Sequence, residues 1–232
     1  MTPEMSFDCL LVSDDPAVVC TIDPILQELS ICTSICQDPK KAAGILSQVS
    51  TDLVIVDLDK DNSIDLVNRI CSLQNQQKPT MVAVSAGDQA IPGVHILLRK
   101  PVTPESGLSS LRRAYSRMLQ DFRKYTRFAL MMSVNAVDED QRTIPVIVTN
   151  IGQGGLGFTT KQRVKSGNIL SMRIPLPGLG SEIQIRARVV WTRDYGASGC
   201  AFVHLSPFDS QLLNAWLESK YRIKKPLIPV DV

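Results

Sequence analysis

The chain has 232 residues, and its 44% apolar and 21% charged content is that of a globular protein rather than a disordered one. No apolar run reaches the length of a membrane span, and the first residues lack the basic and apolar segments of a signal peptide, so we expect a cytoplasmic protein. Residues 1–119 carry ten Lys or Arg against fourteen Asp or Glu, a balance of −4, while residues 120–232 carry fifteen against nine, a balance of +6. The second half is therefore better suited to an anionic partner.

The first half predicts strands that alternate with helices. Each predicted strand is continuously apolar, which indicates a parallel sheet covered by helices on both faces. Strands are predicted at residues 7–12, 31–35, 53–57, 80–85 and 94–98, and helices at residues 16–29, 39–48, 63–73 and 104–120. The interval from Ser85 to Lys100 is too short for a helix between its two strands, and Gly87, Pro92 and Gly93 disfavour one. We therefore expect one helix of the doubly wound α/β arrangement to be missing.

Polar residues follow the carboxyl ends of four predicted strands, where parallel sheets place their working residues. They are Asp14, Asp57, Ser85 and Lys100. This constellation resembles the receiver domain of response regulators, over residues 5–119. By that resemblance Asp57 would accept a phosphoryl group, and Asp14 would help to hold Mg²⁺, a hard cation that prefers oxygen ligands. Ser85 and Lys100 would contact the phosphoryl group.

The first half also departs from the receiver pattern. Ser13 takes one of two places where the family has acids, Leu97 stands where an aromatic residue is common, and residues 59–62 replace the usual Pro-Gly turn. A site with one carboxylate fewer binds Mg²⁺ less well, because ligand charge is lost. Two interpretations stay open: a working phosphorylation site at Asp57, and a pseudo-receiver used for packing or for binding a partner. The departures favour the second.

Six cysteines are present, and Cys32 and Cys36 have a spacing that occurs in metal sites. Neither a second pair nor a nearby His accompanies them. Disulfides are rare in the cytoplasm, so we expect reduced thiols. No metal site and no resident cofactor is therefore predicted from these residues.

The second half predicts an all-β domain followed by a helix. Short strands separated by Gly and Pro turns indicate a small barrel. The strands are predicted at residues 128–137, 143–150, 155–160, 169–174, 181–192 and 199–204, and the helix starts at residues 206–207. Along residues 181–192 apolar and polar side chains alternate, which puts Trp191 on the apolar face. We expect this tryptophan to be a core or barrel-rim residue rather than a surface for stacking a base.

Two short stretches carry candidate ligand-binding residues. Arg123 and Arg127 are four residues apart, and planar guanidinium groups suit phosphate oxygens and flat rings. We expect both on one strand or loop. Asn150 offers an amide that can bind a base edge, and Gly152 and Gly155 lie in a turn whose backbone must pass close to something.

Together these stretches resemble the PilZ family, whose members commonly bind the bacterial second messenger cyclic di-GMP. The resemblance covers about residues 120–220. It implies that Arg123 and Arg127 hold phosphates and guanine faces, that Asn150 contacts a guanine, and that Gly155 lets the backbone approach the ligand. Gly152 stands where the family has a serine. A neutral hydrogen bond contributes about 0.5–1.5 kcal/mol, so this loss would weaken binding roughly tenfold without abolishing it.

The sequence therefore predicts two domains, a receiver-like unit at residues 1–119 and a PilZ-like unit at residues 120–232. We expect a bacterial signalling protein that binds cyclic di-GMP and then changes its inter-domain arrangement or its binding to a protein partner. The alternative is a PilZ-type adaptor that binds proteins and no nucleotide. An enzyme is disfavoured, because no nucleophile–base pair or metal cluster is evident. Nucleic-acid binding is also disfavoured, because the aromatic residues lie mostly on apolar faces.

Overall fold

A computed structural model describes residues 4–72 and 78–230 of the chain. The chain forms two compact units. The first unit comprises residues 4–121 together with residues 223–230, and the second unit comprises residues 122–222. None of the helices in the described ranges is both long and apolar enough to cross a membrane.

The first unit is built around a parallel five-stranded sheet, as its apolar strands predict. Its elements are β1 (Glu4–Met5), β2 (Phe7–Val12), α1 (Pro16–Glu28), β3 (Ile31–Cys36), α2 (Pro39–Gln48), β4 (Leu53–Asp57), α3 (Ser63–Ser72), β5 (Thr80–Ser85), β6 (Ile96–Arg99) and α4 (Pro104–Tyr125). The strand order is β3-β2-β4-β5-β6. Asp15 and Asp38 cap α1 and α2 by accepting backbone N–H groups, and a proline follows each cap. The predicted end of α3 at Leu73 lies outside the described residues.

The predicted absence of a helix between β5 and β6 is confirmed. The connecting loop instead packs Ile91 and Val94 against the apolar core, which contains Val54, Val56 and Leu66. The loop thus buries apolar surface that a helix would otherwise cover.

The C-terminal segment contributes to the first unit. Its short strand β13 (Arg222–Ile223) pairs with β1, and the Lys224 amide donates to the Met5 carbonyl at 2.8 Å. Further on, the Leu227 amide donates to the Glu28 carbonyl at 2.7 Å. Residues near the end of the chain therefore pack against residues 4–28 of this unit.

The second unit is a closed antiparallel barrel with a helix, as predicted. Its elements are β7 (Phe128–Asp138), β8 (Thr143–Gly152), β9 (Gly155–Thr159), β10 (Ile169–Leu176), β11 (Ser181–Thr192), a 3-10 turn at Asp194–Gly196, β12 (Ala197–Leu205) and α5 (Pro207–Glu218). The strands close in the order β10-β11-β12-β9-β8-β7. Leu213, Trp216 and Leu217 of α5 are buried in the barrel core, and the Trp216 indole N–H donates to the Pro177 carbonyl at 2.9 Å.

Several element ends differ from the prediction, among them those of α4 and β10, and one side chain, Trp191, has a different orientation. Helix α4 does not stop at Gln120 but continues to Tyr125, because nothing in residues 121–125 breaks a helix. Strand β10 passes through Pro175 and ends at Leu176. Trp191 does not continue the buried face of β11, because a β-bulge between Val189 and Trp191 turns it outward.

The loop that replaces the missing helix generates the first prediction. Gly93 has a φ of +84°, and a Cβ there would lie 2.0 Å from the Cys71 sulfur. Gly93→Ala should lower the free energy of unfolding by about 1–3 kcal/mol, because it adds backbone strain and a steric clash. Urea denaturation measures this change. Gly87→Ala is the matched control, because its Cβ would meet only Ser85 Oγ, at 3.6 Å. Equal stability of both variants would contradict the packing described for this loop.

Candidate functional site

Arg123 lies in the last turn of α4, and Arg127 lies two residues beyond the end of that helix. The two arginines therefore do not share one strand or loop, contrary to the expectation. An Arg123 Nη lies 3.5 Å from Glu218 Oε1 on α5, and its guanidinium also hydrogen-bonds the side chain of Tyr221. Its Nε is buried and has no hydrogen-bond partner among the described residues. One donor of this guanidinium is thus left unused.

Arg127 packs against Gly152, the position where the PilZ pattern has a serine. Its Nη1 donates to the Lys124 carbonyl at 3.3 Å. A Cβ at Gly152 would lie 2.2 Å from this Nη1 and 2.5 Å from the Thr126 carbonyl oxygen. Partial desolvation lowers the pKa of Arg127, although the residue as a whole is exposed. Any side chain at residue 152 would therefore displace Arg127 or the backbone before it.

A row of residues crosses four neighbouring strands on the outer face of the barrel. Asn150 on β8 pairs with Gly157 on β9, which pairs with Gly199 on β12, which pairs with Trp191 on β11. A Cβ at Gly157 would lie 2.6 Å from Asn150 Nδ2, and one at Gly199 would lie 2.3 Å from the Trp191 indole nitrogen. The Asn150 amide and the Trp191 ring thus lie flat over adjacent glycines.

A second row runs beside the first. Gly152 pairs with Gly155, which pairs with Ala201, which pairs with Arg188. These residues alternate with core residues, so they also point outward. The two rows form an outer surface, which we call the glycine-floored face, on which the Arg127, Asn150 and Trp191 side chains cover buried glycines. It consists of Asn150, Gly152, Gly155, Gly157, Trp191, Gly199 and Ala201. Arg127 lies at one edge of this face and Arg188 at the other.

Gly155 has a structural reason to be glycine. A Cβ there would lie 2.1 Å from the Cys200 carbonyl oxygen on the neighbouring strand. The PilZ resemblance implies that Gly155 lets the backbone approach a ligand. In the structure, the close approach at Gly155 is to the backbone of the neighbouring strand β12. The same lack of a side chain keeps the surface flat.

Trp191 is 44% exposed, which corrects its predicted position on the apolar face. The Arg193 guanidinium lies 5.2 Å from the centre of its ring, within the range of a cation–π contact. A cleft of about 1110 Å³ begins beside them and is lined by Thr192, Arg193, Tyr195 and residues of the 160–164 segment. A smaller cavity of about 90 Å³ lies beside Arg123 and is lined in part by Phe128 and Tyr221. The smaller cavity is too small for a nucleotide.

The second candidate site is a cluster of carboxylates and ammonium groups in the first unit. Asp57 ends β4 and is 3% exposed. Its Oδ2 accepts hydrogen bonds from the Ser13 hydroxyl and from Lys100 Nζ, both at 2.9 Å. Lys100 Nζ also lies 3.3 Å from Asp15 and 3.2 Å from Asp59. Burial opposes the charge of this ammonium, but its contacts with the carboxylates outweigh burial and raise the pKa of Lys100.

The other predicted residues of this site have different partners. Asp14 forms an ion pair with Lys60, and the hydrogen bond from Lys60 lowers the pKa of Asp14. Lys60 Nζ also donates to the Gln37 carbonyl. Ser85 donates to Asp59 at 3.3 Å rather than to Asp57. Asp57 and Lys100 are therefore in direct contact, whereas Asp14 and Ser85 have other partners.

Three members of this cluster were missed from the sequence: Asp15, Asp59 and Lys60. Each lies within three residues of a predicted site residue, so proximity to the strand ends was the available signal. The contacts that these residues make across the sheet could not be predicted in this way, because Lys60 and Asp14 are far apart in sequence.

The cluster does not fit Mg²⁺ in this arrangement. The carboxylates of Asp14 and Asp57, which would ligate the cation, already contact ammonium groups. Across residues 4–72 and 78–230, no group of three or more His, Cys, Asp or Glu side chains is placed to hold a metal ion.

Comparisons with known proteins cover both halves of the chain. Residues 121–219 match the family model of the PilZ domain. No curated protein matches the chain. Among solved structures, a CheY-like response regulator receiver domain from Methylobacillus flagellatus is 24% identical, with a TM-score of 0.43 over 49% of this chain and 99% of that one. The signal receiver domain of an HD domain-containing protein from Pseudomonas fluorescens Pf-5 is 18% identical, with a TM-score of 0.46 over 54% and 98%.

A third similar structure is the inhibitor of motility MotI/DgrA from Bacillus subtilis. It is 21% identical, with a TM-score of 0.35 over 40% of this chain and 48% of that one.

The tight passage of β9 along β12 generates a prediction for the second unit. Gly155→Ala should lower the free energy of unfolding by about 1–3 kcal/mol, because the new methyl group meets a backbone carbonyl that cannot move freely. Thermal or urea denaturation checks this. Gly154→Ala is the matched control, because no heavy atom lies within 4 Å of its Cβ position. A Gly155→Ala variant as stable as the Gly154→Ala variant would refute the assigned packing.

Proposed function

Residues 121–219 form a PilZ domain, and from that premise we propose that the second unit binds cyclic di-GMP on its glycine-floored face. The protein would then act in bacterial signalling by coupling this ligand to the arrangement of its two units or to a protein partner. The observation that supports this proposal most directly is that Arg127 and Asn150 lie at the same edge of one flat outer face.

The chemistry of the face suits a ligand with anionic phosphates and flat purine rings. Arginine offers a planar set of donors that matches phosphate and stacks on aromatic rings. The Asn150 amide offers a donor and an acceptor to a guanine edge. The glycines beneath them let the Asn150 amide and the Trp191 ring lie close to the barrel backbone. Trp191 bounds the other side of this floor and presents an exposed indole.

Both motif arginines have weak partners that the ligand must replace. The Arg123–Glu218 pair is 3.5 Å long and partly exposed, and such pairs contribute at most about 1 kcal/mol. The Arg127–Lys124 hydrogen bond is long, at 3.3 Å. Two ligand phosphates would therefore compete effectively for these guanidinium groups. Such an exchange changes contacts at the C-terminal end of α4, a helix whose residues are divided between the two units.

The experiment is a calorimetric titration of the whole chain with cyclic di-GMP, beside Arg127→Ala and Asn150→Ala. Micromolar binding, about −8 kcal/mol, is expected for the wild type, with a loss of at least about tenfold in each variant. Arg142→Ala is the control, because this exposed arginine lies at the other end of the β7–β8 hairpin. Undiminished binding by Arg127→Ala and Asn150→Ala would exclude this site, and no heat with the wild type would exclude the function.

Tryptophan fluorescence gives an independent readout. The chain has two tryptophans, and Trp216 is buried while Trp191 is exposed on the proposed binding face. Cyclic di-GMP should change the emission of the wild type, and the change should disappear in Trp191→Phe. A ligand-induced change that persists in Trp191→Phe would place the ligand away from this face.

The second candidate function is a protein-interaction adaptor that binds no nucleotide. It is favoured by the observation that both arginines already have partners within the second unit and that Gly152 lacks the serine hydroxyl of the family pattern. In that case the wild type gives no heat with cyclic di-GMP, while Arg127→Ala still lowers its stability.

A further inference from the structure

The carboxylate–ammonium cluster of the first unit has a property that is independent of cyclic di-GMP. Four carboxylates, those of Asp14, Asp15, Asp57 and Asp59, are each in contact with one of two lysines. We propose that Lys60 and Lys100 supply the positive charge that a divalent cation would bring to a receiver domain, and that this unit neither takes up Mg²⁺ nor accepts a phosphoryl group at Asp57.

Lys60 is held where a cation would find oxygen ligands. Its ammonium group donates to the Asp14 carboxylate, which follows β2, and to the Gln37 carbonyl, which follows β3. A hard divalent cation binds carboxylate and carbonyl oxygens. An ammonium group is a compact positive charge with three hydrogen-bond donors, so it can bind the same oxygens. The lysine side chain is 26% exposed, so its environment confines it more than a free surface lysine. Lys60 belongs to the segment that replaces the Pro-Gly turn of receiver domains.

Lys100 holds the remaining three carboxylates. Its Nζ lies 2.9 Å from Asp57, 3.2 Å from Asp59 and 3.3 Å from Asp15. Carboxylates this close to one another repel unless a positive charge stands between them. The internal ammonium groups therefore make the cluster stable without an added ion.

Both oxygens of the Asp57 carboxylate already accept hydrogen bonds within the cluster. Oδ2 accepts from the Ser13 hydroxyl and Lys100, and Oδ1 accepts the Asp59 backbone N–H at 3.2 Å. To become phosphorylated, one of these oxygens must attack phosphorus while the donor's leaving group departs with its electron pair. The incoming phosphoryl group would add negative charge beside three other carboxylates, with no divalent cation to neutralise it. Ser13, in place of an acid, donates its hydroxyl to Asp57 Oδ2 and supplies no carboxylate to a cation.

Divalent-cation binding tests the role of Lys60. The full chain and Lys60→Ala are titrated with MnCl₂, and binding is followed by the electron paramagnetic resonance of free Mn²⁺ and by thermal unfolding in millimolar MgCl₂. We expect no saturable binding to the wild type. Lys60→Ala should bind Mn²⁺ on the order of tenfold more tightly, because a positive charge next to Asp14 is removed. Arg113→Ala, which removes an exposed positive charge from α4, is the control and should behave as the wild type.

Saturable stabilisation of the wild type by MgCl₂ would overturn the proposal. So would a Lys60→Ala variant that binds no more Mn²⁺ than Arg113→Ala, because Lys60 would then not be the group that excludes the cation.

Phosphorylation is tested separately, with acetyl phosphate and MgCl₂ as the probe and mass spectrometry of the intact chain as the readout. We expect no phosphorylated wild-type species. A phosphorylated species that is lost in Asp57→Asn would overturn the proposal. Neither experiment involves cyclic di-GMP, so the outcomes of both are independent of the proposed ligand site.

Discussion

The close approach of the backbones of β9 and β12 is the constraint on which the second unit depends. No side chain fits at Gly155, where a Cβ would lie 2.1 Å from the Cys200 carbonyl oxygen, and a side chain at Gly157 would displace the Asn150 amide. The barrel therefore presents a low outer face beside the Asn150 amide and the Trp191 indole. A side chain at Gly155 would separate β9 from β12, whereas one at Gly157 or Gly199 would displace Asn150 or Trp191. The flatness that suits a planar ligand is thus a by-product of how the barrel closes.

The exchange of serine for glycine at residue 152 has two opposing effects on ligand binding. One hydroxyl is lost, at about 0.5–1.5 kcal/mol for the missing hydrogen bond. In return, Arg127 can rest over Gly152, next to Asn150, before any ligand arrives. A long side chain that is already ordered near its binding position loses less rotamer entropy on binding, about 0.5–1.5 kcal/mol per side chain. The two effects are of similar size, so the departure from the family pattern is not by itself an argument against binding.

Periodicity and strand-end chemistry predicted most of the architecture, and the failures have local causes. The apolar strands of the first half and the alternation in β11 follow directly from burial. Arg123 was placed outside a helix because the predicted helix ended at about Gln120, although residues 121–125 have no helix breaker. Trp191 follows the alternation of β11 in sequence, and only the bulge, which depends on the pairing with β12, turns it outward. The Lys60–Asp14 pair joins residues from two separate strand ends, which a single sequence does not pair.

The two units treat their charges in opposite ways. In the first unit, carboxylates and lysines satisfy one another at distances near 3 Å, and Asp57 is almost completely buried among them. Breaking such a pair leaves an uncompensated charge of low exposure, which costs several kcal/mol. In the second unit, the Arg123–Glu218 ion pair is 3.5 Å long and partly exposed, and such pairs contribute at most about 1 kcal/mol. An added anion therefore finds strong competition in the first unit and weak competition in the second. The contacts that the proposed ligand would replace in the barrel are therefore weak, while the ion pairs of the α/β unit resist exchange with an added anion.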